Sequence, residues 1–121
     1  MRFSFLLLGL SVFLVLGCDG SGKNAKKLED RLDAALAITD DKLRGNTLNR
    51  VATDAAEAGN ADVVKKAVAG IPEPKLKGAV ASACARKLAA KGQHEAANDV
   101  AKIIPDQKLR DSVLSGLSAK Q

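Results

Sequence analysis

Apolar residues are distributed along this chain in two textures. From Phe3 to Leu16 they form a nearly unbroken run, interrupted only by Ser4, Gly9 and Ser11. Beyond the mid-twenties they recur every three or four positions among charged and small residues, the spacing of one buried helix face. Leu28, Leu32, Ala35 and Leu36 predict a first helix over about Asn24 to Ala37. Leu43, Leu48, Val51, Ala52, Ala55 and Ala56 predict a longer second one. Gly59 follows that stripe, where a left-handed cap is needed. Asn60 is placed to cap a shorter helix carrying Val64, Ala67, Val68 and Ile71. Pro72 and Pro74 open the next long helix, where a missing N–H costs nothing. That helix carries Leu76, Val80, Cys84 and Leu88, and Gly92 stops it. Ala97, Val100, Ala101 and Ile104, then Pro105-Asp106, then Leu109, Val113, Leu114 and Leu117, run through the same plan again. No sustained period-two alternation predicts a strand.

The plan has a period of 33 residues. Ile38, Ile71 and Ile104 fall on it, as do Lys42, Lys75 and Lys108, and Leu43, Leu76 and Leu109. Basic residues recur at Arg44, Lys77 and Arg110, and Gly59-Asn60 maps onto Gly92-Gln93. Ala34, Ala52, Ala56 and Ala67 find Ala or Val at the same offset. Short connections make sequential helices pack together. The expected fold is all-α: a short right-handed α-solenoid of about three antiparallel helical hairpins, occupying residues 25–121, with connections of two to four residues. The Ala-x-x-Gly-Asn/Gln turns at Ala56–Asn60 and Ala89–Gln93, each with an apolar residue five beyond the Gly (Val64, Ala97), resemble the hairpin of tetratricopeptide repeats. The period, the absence of that motif's Trp and Tyr, and an early Pro depart from it, so the likeness extends only to tetratricopeptide-like helical hairpins; a stack of such repeats presents a broad concave surface for a partner.

The leading run has a different meaning. Arg2, the 14-residue apolar stretch and Val15-Leu16-Gly17-Cys18 have the order of a secretory signal: charge, apolar core, small residue. The stretch is too short to cross a ~30 Å hydrocarbon core as a helix. A Cys directly after the small residue resembles the lipobox of bacterial lipoproteins, with Val15 where Leu is commoner. The resemblance implies a signal peptide over residues 1–17, cleavage between Gly17 and Cys18, and a diacylglyceryl thioether plus an N-acyl chain (palmitate) on Cys18. The partner implied is a lipid bilayer, held through acylated Cys18, since two or three chains anchor a protein stably. The location implied is a bacterial membrane, facing the periplasm or the cell exterior. Asp19 resembles an inner-membrane retention signal. Residues 18–24 then form the lipidated Cys and a polar tether whose six residues reach only about 13 Å.

Composition narrows the functions available. The chain has 19 basic and 14 acidic side chains, well mixed, a formal net charge of +5. Its three aromatic residues, Phe3, Phe5 and Phe13, all lie in the leader. Without aromatic rings the remainder has no stacking platform for single-stranded nucleic acid and no aromatic hot spot. Its core must be built from Ala, Val, Leu and Ile. If Cys18 is acylated, Cys84 has no disulfide partner and reads as a small buried hydrophobe. His94 stands alone at the start of a helix, expected at the surface, with no companions at metal-ligand spacing. No metal and no cofactor is expected. Ser82, Ser112, Ser115 and Ser118 have no adjacent base, and Gly20-Ser21-Gly22-Lys23 lacks the strand and spacing of a phosphate loop. No catalytic residue is nominated.

The repeated charges remain. Lys42, Arg44, Lys75, Lys77, Lys108 and Arg110 would line one edge of the stack, open to anionic headgroups or an acidic partner. Asp40–Arg44, Glu73–Lys77 and Asp106–Arg110 are also acid-before-base pairs at i,i+4, which stabilise a helix start without any partner. Arg86, Lys87 and Lys91 complement a helix C-terminus in the same way. The expected function is a membrane-anchored, non-catalytic protein-interaction module of the cell envelope. A structural or self-associating lipoprotein and an inhibitor of an envelope enzyme are the alternatives.

Overall fold

The structure, a computed structural model, describes residues 25–119. The leader, Gly17, Cys18 and the tether lie outside the described residues. The described residues form six helices joined by short connections, and none of them is in a strand. They are α1 (25–36), α2 (Asp41–Ala58), α3 (Ala61–Ala69), α4 (Pro74–Ala90), α5 (His94–Ala101) and α6 (Gln107–Ala119). None is long and apolar enough to cross a membrane.

Local chemistry sets the helix ends. The Asp40 carboxylate accepts from the Leu43 N–H at 2.7 Å and starts α2; Asp106 accepts from Leu109 N–H at 2.7 Å and starts α6. Each carboxylate satisfies an orphan donor and meets the positive end of its helix. Asn60 caps α3 through Val63 N–H at 3.3 Å. In α4, Pro74 is the first helical residue and Glu73 makes no side-chain cap. Pro72 lies outside the helix, so only one of the two prolines opens it. Gly59 takes φ of 76°, the left-handed conformation predicted for it, and Gly92, its counterpart one period on, takes 83°. Both turns are closed by the same bond pair. Gly59 N–H donates to Ala56 and Asn60 N–H to Ala55; Gly92 N–H donates to Ala89 and Gln93 N–H to Leu88. This is the Schellman pattern, which uses up the last carbonyls of a helix.

Helices touch only near neighbours in the chain. Among α2 to α6, each contacts the next and the next but one, and nothing further. Arg31 ties α1 to Asp54 of α2 at 2.8 Å, and Lys87 of α4 reaches Glu57 of α2 at 2.9 Å. The core is continuous and purely aliphatic apart from Cys84. Leu48, Ile71, Leu88, Ile104, Val64 and Val68 have no exposed surface. Positions related by the period share a fate: Val51, Cys84 and Leu117 are all buried. The first helix breaks that rule. Ala34 is exposed although its counterparts Ala67 and Val100 are fully buried, and Ile38 is only half-buried. With no described helix packed on its outer side, α1 needs only one apolar face. The α5–α6 connection is five residues, one longer than expected.

Candidate functional site

The six basic residues expected on one edge sit at the starts of α2, α4 and α6, but they do not act alike. Arg44 and Arg110 turn back. Arg44 donates to the Ile38 carbonyl at 2.8 Å and Arg110 to the Ile104 carbonyl at 3.2 Å. Each guanidinium pins the segment entering its own helix. Arg44 pairs with Asp41 rather than with Asp40, whose carboxylate is already the cap. Lys77 is half-buried and makes no such bond among the described residues. Lys42, Lys75 and Lys108 remain exposed and enter no ion pair among the described residues. The presumed stripe of six is therefore a row of three free ammonium groups.

Two equivalent grooves run along that row. The first, about 450 Å³, lies between α2 and the approach to α4, lined by Lys42, Gly45, Pro72, Glu73 and Leu76. The second, about 460 Å³, repeats it between α4 and α6 with Lys75, Gly78, Asp106, Lys108 and Leu109. Their floors are set by glycine. A Cβ on Gly45 would stand 3.3 Å from Leu76 and 3.7 Å from Pro72; one on Gly78 would stand 3.4 Å from Leu109 and 4.0 Å from Pro105. Gly45/Gly78 and Pro72/Pro105 obey the 33-residue spacing; the prolines stand out in the sequence, but the glycine pair does not. The available signal was glycine in the interior of a long helix, which is destabilising unless another element must come close. The third position of the series is exposed Asp111. Glu73 and Asp106 stand among the lysines, so each groove carries both signs of charge.

The lysine row and the entry to α1 are at opposite ends of the helices. Lys27 and Leu28 share a surface hollow with Asp54, Glu57 and Ala58, near the end of α2. Lys42 is at its beginning. The stretch of α2 between Lys42 and Asp54–Ala58 separates the two by about 20 Å.

A different concavity of about 310 Å³ opens between α4, α5 and α6. Ala89, Gly116 and Leu117 form its apolar part; Arg86, His94 and Ser112 supply polar groups. His94 is half-buried rather than at the surface as expected, and its Nδ1 is sealed from solvent with no hydrogen-bond partner. Ser112 and His94 are not hydrogen-bonded, and no carboxylate lines the cleft to orient the ring. Cys84 lies 1 % exposed in the core, where burial raises its thiol from 9.0 to about 11 and Lys87 pulls weakly the other way. A thiol held protonated is a poor nucleophile. Among the described residues no three His, Cys, Asp or Glu side chains gather as a metal site. Comparison with known protein families, curated proteins and solved structures gives no match to this chain.

Proposed function

We propose that the chain is a bacterial lipoprotein, anchored through acylated Cys18, whose helices form a short solenoid of tetratricopeptide-like hairpins acting as a non-catalytic docking module in the cell envelope. The observation that carries this reading is the pair of equivalent grooves at Gly45 and Gly78, the first lined by exposed Lys42 and the second by exposed Lys75 and Lys108. Repetition of one surface at one spacing suits an extended partner that meets the units in turn. The strictly near-neighbour helix contacts support the solenoid. The lysine row stands about 20 Å along α2 from the hollow that holds the start of α1, which favours a protein partner reached away from the bilayer over lipid headgroups. Mixed charge in the grooves points to a partner carrying carboxylates as well as donors.

The test places a photocrosslinking residue at Lys75, in the row, and at Lys91, away from it, in cells carrying the full chain. One defined protein captured from position 75 and not from 91 is the expected result; capture of lipid alone, or equal capture from both, overturns the docking reading. Cys18→Ser should abolish fatty-acid labelling. A native chain that begins at Met1 removes the anchor from the proposal.

Self-association has one observation in its favour. Leu43 and Leu36 are 56 % and 42 % exposed near the junction of α1 and α2. Head-to-tail stacking is disfavoured, because the seat that Gly45 and Gly78 offer to Leu76 and Leu109 is occupied at the far end by the carboxylate of Asp111.

A further inference from the structure

We propose that the cleft between α4, α5 and α6 is a binding site for a small aliphatic carboxylate, a function independent of the lysine row. Three observations converge on it. The first is space. The cavity of about 310 Å³ holds roughly ten water-sized groups at ~30 Å³ each, enough for a carboxylate with a chain of about six carbons. A Cβ built on Gly116 meets nothing within 4 Å, so this side of α6 is open rather than packed.

The second is the division of its lining. Ala89, Leu117 and the Gly116 backbone offer an apolar wall for a tail, while Arg86, His94 and Ser112 gather at the same cavity. An apolar pocket with a few convergent polar groups is the usual form of a small-molecule site. Arg86 is exposed and forms no ion pair among the described residues, so its guanidinium is available to a carboxylate as a two-pronged donor.

The third is the sign of the hydrogen bonding. His94 Nδ1 is sealed and has no hydrogen-bond partner. A sealed N–H without an acceptor is costlier than a sealed lone pair, which favours the tautomer with its proton on Nε2, where the ring can donate to a ligand. Arg86 supplies only donors, and the Ser112 hydroxyl can donate as well. No acidic residue lines the cleft to compete. A set that donates throughout selects an anion, and the adjoining apolar wall selects one with a tail.

The corresponding positions one period earlier make no such site. Arg86, His94 and Ser112 replace Thr53, Ala61 and Ala79. The chemistry is confined to the last unit, which is why the repeat pattern gives no warning of it.

The test is titration of the isotopically labelled full chain with hexanoate, followed by NMR at the His94 ring and the Gly116 and Ser112 amides. Saturable shifts with Kd on the order of 1 mM are expected for so small a ligand. Acetate, which has no tail, and hexanol, which has no charge, should each bind about tenfold more weakly or not at all. Arg86→Ala should weaken hexanoate by about tenfold or more. Gly116→Leu should fill the cavity and abolish the shifts, while an unchanged far-ultraviolet spectrum shows the helices intact. Absence of saturable shifts, equal binding of hexanol, or undiminished binding by Arg86→Ala each overturns the proposal.

Discussion

Gln93 Nε2 donates to the Gly59 carbonyl across 2.9 Å, joining the turn that ends α4 to the turn that ends α2. Both turns are built on a left-handed glycine, and Gln93 occupies the place that Asn60 holds one period earlier. Asn60 is one methylene shorter and bonds its own helix at Val63. One added carbon thus converts a local cap into a link between repeats. Gln93→Ala should lower stability by about 0.5–1.5 kcal/mol, the range for one such bond. For a domain of this size that is a fall in Tm of several degrees, on the scale of ~4–8 °C per kcal/mol. Gln93→Asn, too short to reach Gly59, should lose the same link. Thermal unfolding followed by circular dichroism tests both, and wild-type stability in either would show that the bond contributes nothing.

Gly45, Gly78 and Gly116 all sit inside helices, but their surroundings differ. Gly116→Ala gains helix propensity with no steric consequence, since nothing lies within 4 Å of the new Cβ, and should stabilise by about 0.5–1 kcal/mol. Gly45→Ala makes the same gain against a 3.3 Å contact with Leu76, so its net effect should fall below that of Gly116→Ala. Gly45→Leu cannot be accommodated without separating α2 from the Pro72–Leu76 segment, and should cost about 1–3 kcal/mol or more. Urea midpoints should rank Gly116→Ala highest and Gly45→Leu lowest. A Gly45→Leu protein as stable as wild type would remove the close-approach account of the grooves.

Arg44 and Arg110 are the two basic positions of the repeat that hold backbone carbonyls, those of Ile38 and Ile104. Lys77, which occupies the same place in the middle unit, makes no such bond among the described residues. Arg44→Lys should therefore behave as a loss of about 1 kcal/mol, despite keeping the charge, because an ammonium lacks the rigid fork that reaches back while still meeting Asp41. Lys42→Ala, on the exposed row, should leave stability unchanged within about 0.5 kcal/mol. Equal effects from the two would mean that the edge is a uniform charged face after all.

Much of this arrangement is legible in the chain, for physical reasons that can be named. Gly59 and Gly92 announce themselves because a left-handed turn admits few other residues. The Ile38–Ile71–Ile104 series identifies the repeat because an isoleucine follows the end of each preceding helix, and Ile71 and Ile104 are fully buried there. Asp40 and Asp106 read correctly as favourable at helix starts, but the i,i+4 rule could not tell an ion partner from a cap. That distinction depends on which backbone donor lies nearest. Gly45 and Gly78 went unread because a glycine's role in close packing is visible only once the facing helix is in place. The Arg86–His94–Ser112 cleft was hidden more deeply: it exists because Ala89 and Gly116 leave room, and missing volume has no letter in a sequence. Ala34 shows the reverse error, in which a true repeat position loses its buried role at the end of the stack.

Cys84 makes stability depend on pH at the alkaline end. Its thiol is raised by burial from 9.0 to about 11, with Lys87 opposing weakly. Between those values the unfolded chain releases the proton and the folded chain retains it, so the native state binds more protons. Stability then falls as pH rises, at up to about 1.4 kcal/mol per pH unit. The fall should begin near pH 9 and flatten above about pH 11, where both states are ionised, for a total on the order of 2–3 kcal/mol. The difference between wild type and Cys84→Val isolates the thiol from every other group. Valine already fills the equivalent buried place at Val51, which makes it a fitting replacement. Wild type should lose stability relative to Cys84→Val from pH 8 to pH 11 in urea unfolding. Parallel pH profiles for the two proteins would show that the thiol ionises as readily inside the fold as outside it, and the burial argument for its inertness would then be wrong.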